Sequence, residues 1–242
     1  MFGQMHFHKL NDDSSWIWTL NGKRYLVDPW FTPSQVDFHR LFSEQFHVTK
    51  QPELDELGKI DYIFISHPFT DHCNKETLLQ LDANIPVIAD RAVQKKIAMW
   101  GHFKTIIPLA EAEVKIEKIG SGSFLDPVHN AFVFYTDSGK LLYAPHGTRS
   151  GALPKVDVAM STTTFYKLPF WLGGTINLGL ANAQQVKDIT SASIVISTHD
   201  EQKLGKGLVE KLAKKKYDDL KNLSGIRKLN KGESFVFPFE SE

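Results

Sequence analysis

The sequence predicts a single α/β domain, residues 1–242, with sheets covered by helices on their outer faces. Three observations predict it. Short apolar runs come in two blocks, each punctuated by helical stretches, and layered sheets are the packing solution for that order. No Pro-, Gly- or Ser-rich linker separates the blocks, and no tandem repeat with a period of about 20–50 residues is present. At 242 residues, with 42% hydrophobic and 23% charged side chains, the chain can bury a large core and has an ordinary globular composition.

The elements follow in order. The first sixty residues read as strands: Ser15-Trp16-Ile17-Trp18-Thr19-Leu20 and Lys23-Arg24-Tyr25-Leu26-Val27 flank Asn21-Gly22, a turn pair that tolerates the positive φ a tight hairpin needs. Residues 33–57 are mixed and polar, a loop with a short helix. The all-apolar run 62–65 predicts a strand buried on both faces. Beyond it come a helix at 74–81, a strand at 86–89 and a helix at 91–100 closed by Gly101. Strands at 105–109, 113–119, 131–135, 141–144 and 156–160 follow. The last quarter predicts helix 181–190, strand 194–197, helix 207–220 and strand 235–237.

No signal peptide is expected. The start has no basic region followed by an apolar stretch. The most apolar long stretch, 165–183, is interrupted by Lys167, Pro169, Thr175 and Asn177, too polar for a membrane span. A cytoplasmic protein with no membrane partner is therefore the expectation. The single cysteine, Cys73, excludes an internal disulfide and fits a reducing compartment. It reads as a small buried residue.

The ten histidines divide into two groups. His67 follows strand 62–65, His129 precedes 131–135, His146 follows 141–144, His199 follows 194–197, and His72 lies beside Asp71 just beyond His67. Loops at one edge of layered sheets collect functional side chains. Imidazole and carboxylate suit zinc, iron or manganese, so these five histidines and Asp71 are candidates to converge on a metal. Taken singly, each histidine is a satisfied loop residue, and Asp71 would serve as a helix cap. His6, His8, His39, His47 and His102 have no such setting and are assigned to surface or packing.

Ser66-His67-Pro68-Phe69-Thr70-Asp71-His72 resembles the His-x-His-x-Asp-His signature of the metallo-β-lactamase fold superfamily. Val27-Asp28-Pro29-Trp30 is similar to the start of that family's hydrolase branch. Val128-His129-Asn130, Leu142-Tyr143-Ala144-Pro145-His146-Gly147, Val156-Asp157-Val158-Ala159 and Ser197-Thr198-His199-Asp200 resemble its later motifs, in order. The resemblance spans residues 15–205 and implies a four-layer αββα sandwich with metal at the shared edge of two sheets. It departs at two places: Phe69 stands where the family has a second histidine, and His146 where it has a bridging aspartate. Carried over, the family's first site keeps His67 and His129, and its second keeps Asp71, His72 and His199, with His146 as a further ligand.

The resemblance thus implies one metal per chain, zinc first and iron or manganese next, since two cations about 3.5–4 Å apart need a bridging anion. The expected function is a metal-dependent hydrolase of an ester, lactone, amide or phosphodiester bond in a small-molecule substrate, using metal-activated water. Asp71 would act as ligand and as partner of that water, with His67 and His129 orienting substrate or relaying protons. A non-catalytic, degenerate relative that binds a metal or small ligand is the alternative. The aromatic stretch 165–174 reads either as a lid or apolar pocket wall beside the metal or as core packing. Residues 203–231 carry ten Lys or Arg against three acids. On helix 207–220, Lys211, Lys214, Lys215 and Lys216 would form a basic face, either solvated or able to hold nucleic acid for a processing hydrolase.

Overall fold

The run Tyr62–Ile65 shows how the layers arise. Phe64 points to one side of its strand, among Trp18, Phe132, Phe134 and Tyr143. Ile63 and Ile65 point to the other, among Leu78, Val93 and Ile97. The same alternation splits Gly139–Ala144: Leu141 and Tyr143 join Phe64, while Leu142 and Ala144 pack with Ala183 and Val186. Strands of period two with apolar side chains on both faces must be covered on both faces. The result is helix, sheet, sheet, helix.

The computed structural model describes residues 3–123, 126–200, 202–220 and 223–238. The first sheet runs in the order Ser234–Phe237, Met5–Lys9, Trp16–Leu20, Lys23–Val27, Tyr62–Ile65, Val87–Ala89, Ile106–Pro108. Its first four strands are antiparallel, and from Lys23–Val27 onward they are parallel. The second sheet runs Ile226–Lys228, Ile194–Ser197, Val158–Ser161, Gly139–Ala144, Ala131–Thr136, Lys115–Ile119. There the first four strands are parallel and the rest antiparallel. Lys75–Leu78 and Arg91–Ala98 cover the first sheet, and Leu180–Thr190 covers the second. This is the expected αββα arrangement. No helix among the described residues is long and apolar enough to cross a membrane.

Local chemistry sets the element ends. Asn21 and Gly22 both adopt positive φ in the first hairpin, as their turn requires. Asp90 accepts from the amides of Ala92 and Val93 and starts its helix. Asn74, not Asp71, caps the helix after the histidine motif, accepting from Thr77 N at 2.9 Å. Asp71 is thereby left for the site.

Three expected elements differ. Residues 33–57 hold a hairpin, Ser34–Asp37 with Ser43–Phe46, and a short 3-10 turn at Leu54–Leu57. Those strands are polar and half-exposed, so they lack the apolar alternation that marks a strand. Helix 74–81 contracts to Lys75–Leu78. Helix 207–220 is confined to Leu208–Leu212, and Lys214–Lys216 is instead a strand paired with Phe165–Lys167. The Leu208–Leu212 spacing supports one helical turn, after which ladder hydrogen bonds to the exposed edge of Phe165–Lys167 outweigh the helix preference of the lysine run. The basic helical face is therefore not formed; Lys221 lies outside the described residues.

Phe64, wholly buried between the sheets, is the place to test this packing. Phe64→Ala is expected to lower unfolding free energy by about 3–5 kcal/mol, read from the midpoint of a urea titration at unchanged slope.

Candidate metal centre

The parallel strands of both sheets end at one edge of the sandwich. Val27 leads to Asp28, Ile65 to Ser66 and His67, Ala144 to His146, and Ser197 to His199. Because these strands are hydrogen-bonded in register, their first loop residues emerge side by side.

Asp28 anchors the floor. It is fully buried at φ 44°. Its carboxylate accepts from Ser66 N at 2.7 Å, Ser66 Oγ at 2.6 Å, Tyr143 Oη at 2.7 Å and His72 Nδ1 at 2.8 Å. Burial, followed by the Asp28 charge, raises the Tyr143 hydroxyl well above its usual range, so Tyr143 stays a donor. A carboxylate only accepts, so the His72 proton is on Nδ1 and Nε2 presents a lone pair.

His146 is oriented the same way. Its Nδ1 donates to Asn177 Oδ1 at 2.7 Å, leaving Nε2 as a lone pair 3.0 Å from His72 Nε2. Two imidazole lone pairs this close repel unless a proton or cation sits against both. His199 completes the set: Nδ1 lies 3.2 Å from Asp13 Oδ1, and Nε2 lies 3.0 Å from Asp71 Oδ2. The other Asp71 oxygen is 3.9 Å from His72 Nε2. Ligand atoms of Asp71, His72 and His199 all fall within 4.8 Å of one another, as do those of His67, His72 and His146.

Charge points the same way. Lys203 Nζ lies 2.8 Å from Asp13 Oδ2, 3.8 Å from Asp71 Oδ2 and 4.9 Å from the centre of the Trp30 ring. Asp13 and Asp71 face this ammonium, and Asp28, behind His72, adds a third buried or nearly buried carboxylate. Burial alone would raise the Asp71 pKa, but His72, the hydrogen bond to His199 and Lys203 hold it well below the usual carboxylate range. Burial also opposes charge on His72, yet Asp28 and Asp71 raise it. Burial, with His199, His72 and His67 as neighbours, keeps His146 well below the usual histidine range. The donor set, its outer oxygen partners and its surplus of carboxylates fit a divalent cation among these side chains.

His67 and His129 are placed differently. His67 Nε2 donates to Val128 O at 2.9 Å, and its ring stacks on Phe69 with centroids 5.9 Å apart. Burial and the nearby His72 hold it well below its ordinary pKa. His129 contacts both Asp126 oxygens through Nδ1, at 2.8 and 2.7 Å, and Ile176 O through Nε2 at 3.0 Å. It belongs to neither donor group. Phe69 lies against His67 and His146, where it presents carbon rather than a ligand. Cys73 is buried, with its thiol pushed up to about 12 by burial.

Asp13, Asn177 and Lys203 lie outside the motifs visible in the sequence. Asp13 sits in the polar run before the first long strand, and Asn177 is an isolated polar residue in a strand. Lys203 stood at the head of the basic segment, yet its side chain turns inward.

A cleft of about 1080 Å³ opens over Asp71 and His146. The hairpin 34–46 forms one wall, and Phe165–Lys167, Phe170–Leu172 and Thr175–Leu178 form the other. The aromatic stretch 165–174 is thus a wall of this cleft. The former basic segment straps the walls together. Leu204–Lys206 pairs with Ser43–Phe46, and Lys214–Lys216 pairs with Phe165–Lys167. Between them the amides of Leu208 and Val209 donate to Leu41 O and Phe42 O at 3.0 and 2.9 Å. Lys215 turns in to the Glu210 carboxylate at 2.7 Å and over the Tyr166 ring.

Residues 23–127 match the model of the Beta-lactamase superfamily domain. A UPF0173 metal-dependent hydrolase of Thermodesulfovibrio yellowstonii is 27% identical over 155 residues, 58% of this chain. The matched stretch is 51% of that relative, so the chain spans about half its length. An isothiocyanate hydrolase from Delia radicum gut bacteria is similar in structure, with a TM-score of 0.68 at 14% identity over 96% of this chain and 98% of that one. A metallo-beta-lactamase fold protein from Bacillus subtilis gives 0.61 at 12% identity over 97% and 100%. At these identities the structural likeness carries the fold alone.

Gly207 lets the strap approach the hairpin. Its φ is 91°, and a Cβ there would lie 2.7–2.8 Å from the carbonyl oxygens of Phe42 and Leu41. Gly207→Ala is expected to cost about 2 kcal/mol or more. Amide exchange over 204–216 should accelerate in this variant more than exchange in the Tyr62–Ile65 strand.

Proposed function

We propose that this chain, a member of the metallo-β-lactamase fold superfamily, is a metal-dependent hydrolase with one divalent cation at His72, His146, His199 and Asp71. The observation that carries this reading is the pair of Nε2 atoms 3.0 Å apart, on histidines whose Nδ1 atoms already face Asp28 and Asn177. Such outer partners fix ring orientation and raise ligand basicity. Three nitrogens and a carboxylate suit zinc first, with iron and manganese as alternatives.

A single cation is favoured by what surrounds the remaining candidates. His67 Nε2 and His129 Nε2 both lie against backbone carbonyl oxygens, and Phe69 occupies the remaining first-site position.

A divalent cation bound here supplies Lewis acidity, polarising a carbonyl or phosphoryl oxygen and lowering the pKa of water toward about 7. The protein supplies the remainder. Asp71, ionised and reaching the cleft, accepts a proton from attacking water or orients it. Lys203 steadies Asp71 from the outer side. Phe69 sets an apolar ring beside His67 and His146. Carboxylic esters, lactones and amides are the proposed bonds, with phosphodiesters less suited to the apolar wall at Phe69.

The reading is tested on protein purified without metal-affinity resin. Elemental analysis is expected to find close to one divalent metal per chain; none, or two, overturns the single-cation site. Asp71→Ala should abolish ester or lactone turnover while keeping the far-ultraviolet circular dichroism of the parent. Asp28→Asn, which retains shape but removes the charge behind His72, should weaken metal binding by about 10–100-fold. Full metal loading with no turnover of any ester, lactone or amide would make the centre a binding site instead.

A further inference from the structure

From the cleft above Asp71 and His146 we infer that the substrate carries a bulky, uncharged apolar group, aryl or medium-chain alkyl, gripped between two aromatic walls. The inference rests on the hydrolase reading only in taking Asp71 and His146 as the reacting end of the cleft.

The first observation is size. About 1080 Å³ reaches the upper end of pockets that enclose drug-sized ligands, far beyond what a scissile ester or amide needs. The space extends from the candidate ligands outward, so an occupant reacting at Asp71 must fill it with its remainder.

The second is the nature of the walls. Phe38 and Phe42 come from the hairpin, Phe69 from the floor, and Phe170, Trp171 and Leu172 from the opposite wall. Phe38 is 97% exposed, Phe170 95% and Trp171 68%. None of the three stabilises the fold by burial, and clustered exposed aromatics mark a surface that meets an apolar partner. Phe38 also sits at φ 61°, a conformation disfavoured for a bulky residue and typical of functional loops.

The third is charge. Beyond Asp71, the cleft is lined by the carboxylates Asp37 and Asp126 and the cations Arg149 and Lys167. Asp37 accepts from Thr70 Oγ1 at 2.5 Å and Ser43 Oγ at 3.1 Å, and Asp126 holds His129 and Arg149. The charges balance, and Lys167 lies on the exposed rim. There is no excess of positive charge along the walls to favour an anionic substituent.

Binding is tested on the metal-loaded protein with butanamide, 4-phenylbutanamide and 4-(4-carboxyphenyl)butanamide, which carries its charge on the ring, by calorimetric titration with Trp171→Phe as the aromatic control. 4-Phenylbutanamide should bind at least about 10-fold more tightly than butanamide, given the apolar area its ring buries, and more tightly than the ring-carboxylated anion. The double variant Phe170→Ser, Trp171→Ser, altered at exposed positions and checked for parental circular dichroism, should erase that preference. Equal affinities, tighter binding of the anion, or a preference unchanged in the double variant overturns the inference. So does a homodimer in sedimentation that the double variant dissociates, or vesicle binding that it abolishes, because the aromatics would then serve another surface. A parallel measurement compares kcat/KM for methyl acetate and methyl 4-phenylbutyrate by titration of released acid. Binding preference without turnover of these esters or of any lactone or amide refutes the hydrolase reading and leaves the apolar subsite standing. Turnover of both at equal efficiency, without binding preference, refutes the subsite alone.

Discussion

Asp28 is a carboxylate with no access to water, held in a left-handed backbone conformation where two sheets meet. An ion in that position is costly unless donors surround it. Its donors come from three separate places: the end of the Tyr62–Ile65 strand through Ser66, the histidine motif through His72, and the second sheet through Tyr143. Satisfying Asp28 therefore locks the strand ends together, ties the sheets at their shared edge and sets the His72 tautomer in one step. The orientation of the whole donor set depends on that arrangement.

The centre is divided between the halves of the chain. Asp71 and His72 follow the first sheet, and His146 and His199 follow the second. Neither half holds a complete set, so the site exists only when the aromatic core around Trp18, Phe64 and Tyr143 closes the sandwich. The cleft obeys the same logic. One wall is a hairpin of the first half, the other an aromatic segment of the second, and the 204–216 strap pairs with both. A stretch whose charge suggested an external face is instead a clasp. Its lysines project from narrow edge strands, as edge strands commonly require, while Lys215 and Lys203 turn inward to carboxylates.

Some of this was legible in the residues. The run 62–65, the Asn21-Gly22 turn and the helix starting after Asp90 carry strong local signals, and the structure contains all three. The grouping of five histidines at strand ends was visible because strand ends in layered sheets share an edge. The polar hairpin at 34–46 was not visible, since its strands are stabilised by pairing rather than by a buried apolar face. The 207–220 segment was misread because leucines four apart fit a helix, while the competing strand partner at 165–167 is about fifty residues away in sequence.

By itself the sequence determined the layered fold, the edge at which function gathers and the residue types available there. Those follow from apolar periodicity and from motif order, which are local properties. The tertiary structure alone decided which histidine nitrogens face inward. His67 and His129 stand in the same kind of strand-end position as His72 and His146, yet their Nε2 atoms meet the backbone carbonyls of Val128 and Ile176. His72 and His146 have Asp28 and Asn177 behind them and turn their lone pairs toward each other. An imidazole ligates through whichever nitrogen its neighbours leave unprotonated, and those neighbours, 44 and 31 residues away along the chain, become neighbours only on folding.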